Sequence, residues 1–533
     1  MEKKITHIEL FAGCGGMSLG LDSAGFDLYF ANELSPMAGE TFAYNILNEN
    51  LNLNSEKNIS AKKTLWIKSS FPSNDLKNRL RENPFSTIKG KHSDLESITD
   101  LKEKLLIGNI DDLLTFFEEN PDIVNNLKKE NIDLISGGPP CQSFSLAGRR
   151  EKNNEKNQLP LSFSKFAGLI QPKIVLLENV KGITSPFKED GNKYYAWLEV
   201  SKAFALEGFV PICMMLNSKY FGVPQNRPRF ILLGYRKDIF NKLLTKFEEN
   251  KILNTSKKFY DLVNKSEINL ESITIKDFSY SDIEASPELF DGILFPKITH
   301  KLNDFVQTGE AIGDIKNVGE AFLQNNIKGK FAKHLNEIFS QKNKKNNTLK
   351  NHEIRKHNLQ IKSRFRFYQV IEQFQNGLKK GAVDLFTGKE ISIETTKKLF
   401  EEFSKYKLLF IENGREYSMK PKNISEVENL VKQIPTKKHS QRALREFEPA
   451  PAQLTIPDDL CHYDLEQSRT LTVREMARFQ SFPDWFEFRS KVTTGGKMRK
   501  FETPQYTQVG NAVPPLLAKA VGETIKSHLL IIK

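Results

Sequence analysis

The sequence predicts an α/β protein with a doubly wound, mostly parallel sheet and a second, irregular domain. The chain has 533 residues, more than one hydrophobic core usually holds, so two or more domains are expected. From His7 to Leu233, short apolar runs that end in glycine or polar residues alternate with helical stretches. This alternation is typical of βαβ units, whose parallel strands are buried on both faces. It is lost after about residue 237.

Five segments of the first part have the composition of buried strands, namely "THIELFAG", "DLYFANE", "NIDLISGG", "PKIVLLENV" and "FILLGYR". Helical stretches such as "SPMAGETFAYNIL" and "LSFSKFAGLI" lie between them. Residues 45–106 are polar and rich in Lys, Asn and Ser, which predicts an insertion between two strands. We therefore expect a first domain over 1–236, a second over 237–467, and a return to the first domain over 468–533.

The last part of the chain supports that return. In "RTLTVREMARFQSFPDWF" a threonine precedes Val473 and apolar residues recur at helical spacing, which predicts a helix start. "QYTQVGNAVPPLLAKAVGETI" then predicts a glycine turn, the pair Pro514–Pro515 and a helix of small residues. We expect this final helix to pack on the sheet, so that both ends of the chain build the first domain.

Composition restricts the class of protein. The net charge of +12 favours a polyanionic partner, nucleic acid first, although a solvated lysine-rich surface is the alternative. Two basic runs of the second domain, 340–358 and 436–447, suit phosphates. The four cysteines are far apart and form no CxxC pair, which predicts neither a metal site nor a disulfide framework. No apolar run approaches a membrane span, so a soluble, cytoplasmic protein is expected.

A glycine-rich turn follows the first predicted strand. Gly13, Gly15 and Gly16 in "LFAGCGGMSLGL" would let a ligand approach the backbone at the start of a helix. Glu33 closes the second strand, about 20 residues on, where a carboxylate can accept hydrogen bonds from ribose hydroxyls. The spacing differs from the dinucleotide-binding pattern, so an adenosine-bearing cofactor and a purely structural turn both remain open.

Three further strand ends carry reactive groups. Cys141 follows Gly-Gly-Pro-Pro, which is consistent with either a buried thiol in a tight turn or a reactive thiol on a stiff one. Glu178 ends "KIVLLE", where a carboxylate is costly to bury unless it is used or paired. Arg227 and Arg229 alternate on an extended segment and would repel each other without an anion or a carboxylate nearby.

In motif, order and spacing the chain resembles the DNA (cytosine-5) methyltransferases of bacterial restriction–modification systems. The similarity covers about 5–235 and 469–522 and rests on "FAGCGG", "GGPPCQSFS", "ENV", "QNRPR", "RTLTVREMARFQSFPDWF" and "QVGNAVPPLLAKAVG". It implies a Rossmann-like, S-adenosylmethionine-dependent catalytic domain and a target-recognition domain between the two stretches. It also implies methyl transfer to carbon 5 of a cytosine flipped out of a duplex, through a covalent adduct of the Cys141 thiolate at carbon 6.

The resemblance assigns the site residues. It implies that Cys141, Glu178, Arg227 and Arg229 are catalytic. The expected cofactor-binding residues are Phe11, Gly13, Cys14, Gly15, Gly16, Glu33, Leu34, Asn109, Ile110, Pro139, Leu159, Asn511 and Val513. The expected DNA-binding residues are Gln142, Ser143, Arg149, Arg150 and Gln225. The family usually has Gly-Asp-Ile where this chain has "GNIDDL", so Asn109 or Asp111 would contact the adenine.

Two other functions remain open at this stage. One branch of the same family methylates cytosine in tRNA, although the large region before "RTLTVREMARF" favours DNA. The second alternative is a catalytically silent DNA-binding module, against which the complete set of catalytic residues argues. For the leading function we expect double-stranded DNA as partner and a monomer on DNA, and the existence of a cognate restriction endonuclease in the same system stays open. The recognised base sequence is not readable from the chain.

Overall fold

The computed structural model describes residues 5–86, 90–96, 98, 100–140, 158–189, 192–247, 249–266, 268–319, 322–323, 326–340, 348–438, 441–453 and 455–532. Its strands are β1 (Ile5–Leu10), β2 (Phe26–Glu33), β3 (Thr64–Trp66), β4 (Lys104–Ile107), β5 (Leu134–Gly137), β6 (Ile174–Val180), β7 (Phe187–Glu189), β8 (Asn192–Tyr194), β9 (Phe209–Asn217), β10 (Gln225–Asn226), β11 (Pro228–Arg236), β12 (Ser281–Asp282), β13 (Leu408–Glu412), β14 (Arg415–Met419), β15 (Arg442–Ala443), β16 (Ala450–Pro451) and β17 (Leu460–Cys461).

The helices follow the same chain order. They are α1 (Gly16–Ser23), α2 (Pro36–Asn45), α3 (Leu51–Glu56), α4 (Leu76–Arg79), α5 (Ile110–Glu119), α6 (Pro121–Glu130), α7 (Leu159–Ile170), α8 (Ala196–Leu206), α9 (Lys237–Lys246), α10 (Lys251–Val263), α11 (Thr308–Ile312), α12 (Lys330–Ile338), α13 (Leu359–Ile371), α14 (Asn376–Phe386), α15 (Ile393–Phe403), α16 (Ile424–Gln433), α17 (Val473–Phe479), α18 (Gln505–Asn511) and α19 (Pro515–Ile531). Among the described residues, no helix has the length and apolarity needed to cross a membrane.

One large sheet organises the catalytic part of the chain. Nine strands lie in the order β12-β9-β11-β6-β5-β1-β2-β4-β3. All neighbours in it are parallel except β11, which runs antiparallel to both β6 and β9. The chain moves outward from β1 to β2 and later returns to pair β5 with the other side of β1. The fold is therefore the predicted doubly wound α/β sheet, and its topological switch point lies between β1 and β5.

Both faces of the sheet are covered, which explains why the strands are apolar on both sides. On one face, Phe163 and Phe166 of α7 and Trp197 of α8 belong to a buried cluster that also includes α5 and α6. On the other face, α1 and α19 pack together with the sheet. A Cβ atom added to Gly20 would lie 2.4 Å from the Pro515 carbonyl oxygen, so the two helices touch at the backbone. The final helix thus packs back on the sheet, as predicted.

The segments around this scaffold partly share its sheet. β3 lies within 45–106 and pairs with β4, so the segment predicted as an insertion supplies the edge strand. α9, α10 and β12 lie after residue 236, yet β12 pairs with β9 and both helices pack on the sheet. Two further cores follow, one around Phe331, Phe479 and Trp485 and one built by α13–α16 with the β13–β14 hairpin.

The predicted start of α17 is confirmed in atomic detail. The Thr472 hydroxyl accepts a hydrogen bond from the Glu475 backbone N–H at 3.2 Å, and the Glu475 carboxylate accepts one from the Thr472 N–H at 2.8 Å. Together they form a capping box, which satisfies two backbone donors at the helix N-terminus. The Glu475 carboxylate is also bound by Arg469, whose two Nη atoms lie 2.7 and 2.8 Å away.

Candidate active site

The carboxyl ends of the central strands meet at one edge of the sheet. Leu10 of β1 pairs with Gly137 of β5, and Gly137 in turn pairs with Leu177 of β6. On the other side, Leu10 pairs with Asn32 of β2. The residues that come next along each strand, including the glycine turn, Gly138, Glu178 and Glu33, therefore lie at the same level. This edge is the crevice where ligands bind in doubly wound sheets.

The glycine turn after β1 is open above its backbone. Gly13 and Gly15 have φ values of 55° and 97°, and Phe11 also has a positive φ of 54°. The Gly13 N–H donates to Glu33 Oε2 at 2.8 Å, and the Ser35 N–H donates to Glu33 Oε1 at 2.8 Å. A Cβ atom on Gly13 would meet nothing within 4 Å. The Glu33 carboxyl group thus fixes the turn through two hydrogen bonds, and burial raises its pKa.

The C-terminal segment closes on this turn. A Cβ atom on Gly16 would lie 2.3 Å from the Val513 carbonyl oxygen, so only glycine fits there. Val513 is half-buried, and its Cγ2 would lie 4.0 Å from a Cβ atom on Gly138. Asn511 is exposed at the end of α18. Val513 thus lies between the two glycine turns that follow β1 and β5.

The other predicted cofactor residues differ in how exposed their side chains are to solvent. Leu34 and Leu159 are half-buried, whereas Ile110 and Pro139 are buried. The Phe11 ring lies 6.4 Å from the Phe163 ring.

Asn109 and Asp111 both have protein partners. The Asn109 side-chain oxygen accepts from the Asp111 N–H at 3.1 Å and caps α5. The Asp111 carboxylate accepts from the Ser162 hydroxyl at 2.6 Å. Asn109 is half-buried and Asp111 is exposed. Burial therefore excludes neither of them as the residue that would contact the adenine.

Cys14 has no access to the crevice through its side chain. The residue is 2% exposed, and its thiol lies 3.8 Å from the Gln508 carbonyl oxygen in the core below the turn. Burial raises the pKa of this thiol, which keeps it protonated and unreactive. Its contribution to a ligand site is therefore limited to the backbone of the turn.

A buried ion pair lies at the end of β6. Arg229 Nε is 2.6 Å from Glu178 Oε1, and each residue is 8% exposed. Glu178 pairs with Ile231 across the antiparallel ladder and Arg229 with Val180, so the two side chains are diagonal neighbours on one face. Burial lowers the pKa of Arg229, and the charge of Glu178 offsets part of that effect. The structure thus pairs an acid and an arginine that the sequence had placed only at strand ends of the same sheet.

The chain enters the Pro-Pro-Cys turn directly beside this ion pair. The Asn179 side-chain amide donates to the Pro139 carbonyl at 3.1 Å, and a Cβ atom on Gly138 would lie 3.0 Å from Glu178 Oε2. Cys141 is two residues beyond Pro139. It lies outside the described residues, as do the predicted DNA-binding residues Gln142, Ser143, Arg149 and Arg150. Asn179 was not predicted, although its place in "ENV" was available as a signal.

Arg227 points into the protein. It is 2% exposed, and its Nη2 donates to the carbonyls of Gly510 and Ala512 at 2.7 and 3.2 Å. Its Nη1 donates to the Gln453 carbonyl at 3.3 Å. Burial and the neighbouring Arg229 hold the pKa of Arg227 well below its ordinary value. The expectation that it orients a substrate base is thus replaced by a positioning role, in which it fixes the 510–512 backbone.

Gln225 is also a structural residue. Its side chain is fully buried, with the amide nitrogen donating to the Phe479 carbonyl at 3.0 Å. Its amide oxygen accepts from the Gln453 backbone N–H at 2.9 Å. The predicted DNA contact of Gln225 is wrong for this structure, because both polar groups are already bound inside the protein. Gln480, which donates to the Val509 carbonyl at 2.6 Å, belongs to the same buried network and was not predicted.

Among the residues that the structure describes, no group of three or more His, Cys, Asp or Glu side chains is arranged to hold a metal ion. The arrangement combines an open glycine turn with a carboxylate–guanidinium pair two strands away. In doubly wound sheets the edge at the carboxyl ends of the strands is where ligands bind, so the fold and the site define the class of Rossmann-like α/β proteins.

Comparison with known proteins narrows that class. The profile of the family "C-5 cytosine-specific DNA methylase" matches residues 5–76 and 103–527, so the chain belongs to this family of DNA-modifying enzymes. The type II methyltransferase M1.HphI of Haemophilus parahaemolyticus is 24% identical over 98% of this chain and 86% of its own. M.DdeI of Desulfomicrobium norvegicum is also 24% identical, over 97% and 88%. The orphan methyltransferase M.SPRI of Bacillus phage SPR is 34% identical over 34% and 38%.

Proposed function

We propose that the protein transfers a methyl group from S-adenosylmethionine to carbon 5 of a cytosine flipped out of a specific duplex DNA sequence. The observation that carries the proposal is the contact between the backbone leading to Cys141 and the Glu178–Arg229 pair. Gly138 lies against Glu178 Oε2 and Pro139 is tied to Asn179, so the turn leaves β5 beside a buried acid. A thiolate and a proton-donating or proton-holding carboxyl group within one crevice suit attack on a pyrimidine ring.

The residues around the glycine turn fit the cofactor. The Glu33 carboxylate accepts two backbone N–H groups, and a carboxylate has about four acceptor sites, which leaves capacity for ribose hydroxyls. The free space above Gly13 lets a ligand reach the backbone. Phe11, Leu34, Asn109, Ile110, Pro139, Leu159 and Val513 would line the remainder. When bound there, S-adenosylmethionine supplies an electrophilic methyl group on its sulfonium.

The chain's own residues then perform the steps on cytosine. The Cys141 thiolate adds to carbon 6 and forms a covalent bond, since thiolates are strong nucleophiles. The Glu178 carboxyl group holds or protonates ring nitrogen 3, so that negative charge does not accumulate on the ring. Arg229 orients Glu178 through their ion pair. Carbon 5 becomes electron-rich and accepts the methyl group, a base removes the carbon 5 proton, and the thiolate leaves.

The net charge and the family of this chain both favour duplex DNA as the substrate. A stacked cytosine cannot be reached, and extruding it costs a few kcal/mol. The net charge of +12 and the cations Arg149 and Arg150 beyond Cys141 can offset part of that cost through phosphate contacts. The DNA family match makes tRNA the weaker substrate. Because two of the relatives are named type II methyltransferases, we further propose a restriction–modification role with a cognate endonuclease, the methyltransferase acting as a monomer.

Incubation of the protein with tritiated S-adenosylmethionine and either duplex DNA or tRNA tests this function. We expect label in duplex DNA, and bisulfite sequencing of a plasmid carried with the gene should map one recurring sequence. Label that appears only in tRNA would reject the DNA substrate. Absence of label in both nucleic acids, with the cofactor bound, would reject methyl transfer to nucleic acid altogether.

A further inference from the structure

The family match leaves out residues 77–102, of which the structure describes 77–86, 90–96, 98 and 100–102. Arg79 is 2% exposed and pairs with Asp94 at 2.6 Å, while its guanidinium lies 5.2 Å from the Trp66 ring centroid. The Glu82 carboxylate accepts from the Ser69 hydroxyl at 2.8 Å. These contacts fix the segment on β3, at the free edge of the large sheet. Since the family match leaves this segment out, it is an addition of this chain to the family scaffold, and its described residues are held on β3.

A cleft of about 680 Å³ separates this segment from the stretch before α18. One side is formed by residues 77, 80 and 81, and the other by 487–491, 502 and 505, with α2 between them. The two sides also touch directly, because the rings of Phe85 and Phe501 lie 6.0 Å apart. We call this space the flank cleft.

The charges of the flank cleft do not cancel. Its carboxylates all have cationic partners, since Glu40 and Glu487 bind Arg489 and Glu502 binds Lys491. Three other lining cations, Lys77, Arg81 and Lys350, make no ion pair with any residue that the structure describes. The adjoining turn Gly496–Lys500 adds the exposed cations Lys497, Arg499 and Lys500. The cleft thus presents unpaired positive charge in a concave surface.

The helices α2 and α18 connect the flank cleft to the active-site edge of the sheet. α2 begins at Pro36, three residues after Glu33, and its first turn lines the cleft through Met37. Gln508 of α18 donates to the Met37 carbonyl at 3.2 Å and to the Arg489 carbonyl at 3.3 Å. The same short helix ends at Asn511, beside the glycine turn. A polymer bound across the active site can therefore continue toward the cleft.

We propose that the flank cleft binds backbone phosphates of the substrate duplex outside the flipped base pair. The inference rests on the proposed function, because it assigns a second contact to the same DNA. Phosphate is the matching ligand, since lysine and arginine bind its oxygens and a guanidinium can do so through two N–H groups. Such contacts position a duplex without reading its sequence.

The test compares two variants of equal charge loss. The cleft variant carries Lys77→Gln, Arg81→Gln and Lys350→Gln. The control carries Lys246→Gln, Lys257→Gln and Lys258→Gln, which are exposed residues of α9 and α10. Affinity for a labelled duplex several helical turns long is measured by fluorescence anisotropy over a range of salt concentrations. Each lost phosphate contact lowers the magnitude of the slope of log Kobs against log salt by about 0.9.

We expect the slope of the cleft variant to fall by roughly 2–3 and that of the control to stay within 1 of wild type. An unchanged slope in the cleft variant would overturn the inference and leave the surface to a protein partner. An equal fall in the control would also overturn it, because net charge would then explain the effect. Should the triple variant fail to fold, Lys77→Gln with Arg81→Gln, both exposed, serves instead.

Methylation by wild-type protein separates this inference from the proposed function. Wild-type protein that methylates duplex DNA, together with an unaltered slope in the cleft variant, would overturn only the flank cleft. Wild-type protein that neither methylates nor binds duplex DNA would overturn both. Methylation of short duplexes that end close to the target should be equal in wild type and cleft variant, since such duplexes do not reach the cleft.

Discussion

Replacement of Glu178 by glutamine removes one charge from the centre of the proposed site while keeping the shape of the side chain. In the folded protein Glu178 faces Arg229 at 2.6 Å, and both are 8% exposed. Breaking a buried ion pair from one side typically destabilises a protein by about 3–5 kcal/mol, because the remaining charge is buried without compensation. The variant should therefore unfold at lower temperature, although part of the loss is relieved by the hydrogen-bonding capacity of the amide.

The effect on catalysis is separate from the effect on stability. Loss of a positioned acid usually slows a reaction by about 10²–10⁴-fold, which corresponds to about 3–5 kcal/mol of activation free energy. We expect single-turnover methyl transfer by Glu178→Gln to fall within that range. Binding of S-adenosylmethionine, measured by isothermal titration calorimetry, should change little, because the glycine turn lies two strands away in the sheet.

The double variant Glu178→Gln with Arg229→Gln distinguishes the two effects. Removing both charges leaves no unpaired buried ion, so much of the lost stability should return. Methyl transfer should remain as slow as in the single variant if Glu178 acts on the cytosine ring, because residues that act as a unit are not additive. Turnover at the wild-type rate in Glu178→Gln would refute the role of this carboxyl group. Recovery of the rate in the double variant would reduce it to a structural one.

Three further predictions concern the surroundings of the site. Gly16→Ala should weaken cofactor binding by about tenfold or more, since the new Cβ would lie 2.3 Å from the Val513 carbonyl oxygen; Gly319→Ala, which meets nothing within 4 Å, is the calorimetric control. Arg227→Met should lower the unfolding temperature and raise hydrogen exchange in 510–512, whose carbonyls it binds; unchanged exchange there would contradict this. Burial raises the pKa of Glu9 to about 8, so Glu9 should destabilise the fold by about 1.4 kcal/mol per pH unit as pH rises from about 4.5 to 8; Glu9→Gln should remove that slope in thermal unfolding, and an unaltered slope would exclude Glu9 as its source.

The strands that carry the site were predictable because each has a local signal. β1, β2, β5, β6 and β11 are apolar runs that end in glycine or a charged residue, and the structure places all of them in the large sheet. Because Gly13 follows β1 and Glu33 ends β2, the carboxyl ends of these two strands predicted that the two residues lie close together. The sequence placed Glu178 and Arg229 at strand ends of one sheet, and their direct contact came only from the antiparallel ladder between β6 and β11.

Other strands lacked such a signal. β9 contains Pro211 within an apolar run, and a proline argues against a central strand. Pro211 nevertheless pairs with Gly234 of β11 in the sheet. β3 and β12 have only three and two residues, too few for a period to be visible. The antiparallel direction of β11 depends on how the chain connects β9 to it, which composition does not encode.

The orientations of the Arg227 and Gln225 side chains could not be predicted from the local sequence. Alternation along an extended segment predicted that Arg227 and Arg229 share a face, and it said nothing about what that face meets. The partners that bury Arg227 and Gln225 are Gln453, Phe479, Gly510 and Ala512, all more than 200 residues further along the chain. Long-range contacts of this kind decide whether a polar side chain serves the fold or the substrate.

Covalent trapping tests the central claim most directly. A duplex that contains the target sequence with 5-fluorocytosine at the methylated position is incubated with the protein and S-adenosylmethionine, and the products are separated under denaturing conditions. The account predicts a stable protein–DNA adduct whose peptide map places the linkage at Cys141, and no adduct with Cys141→Ser, which should still bind the duplex. A methylated product without any trapped adduct, or an adduct that persists in Cys141→Ser, would contradict it.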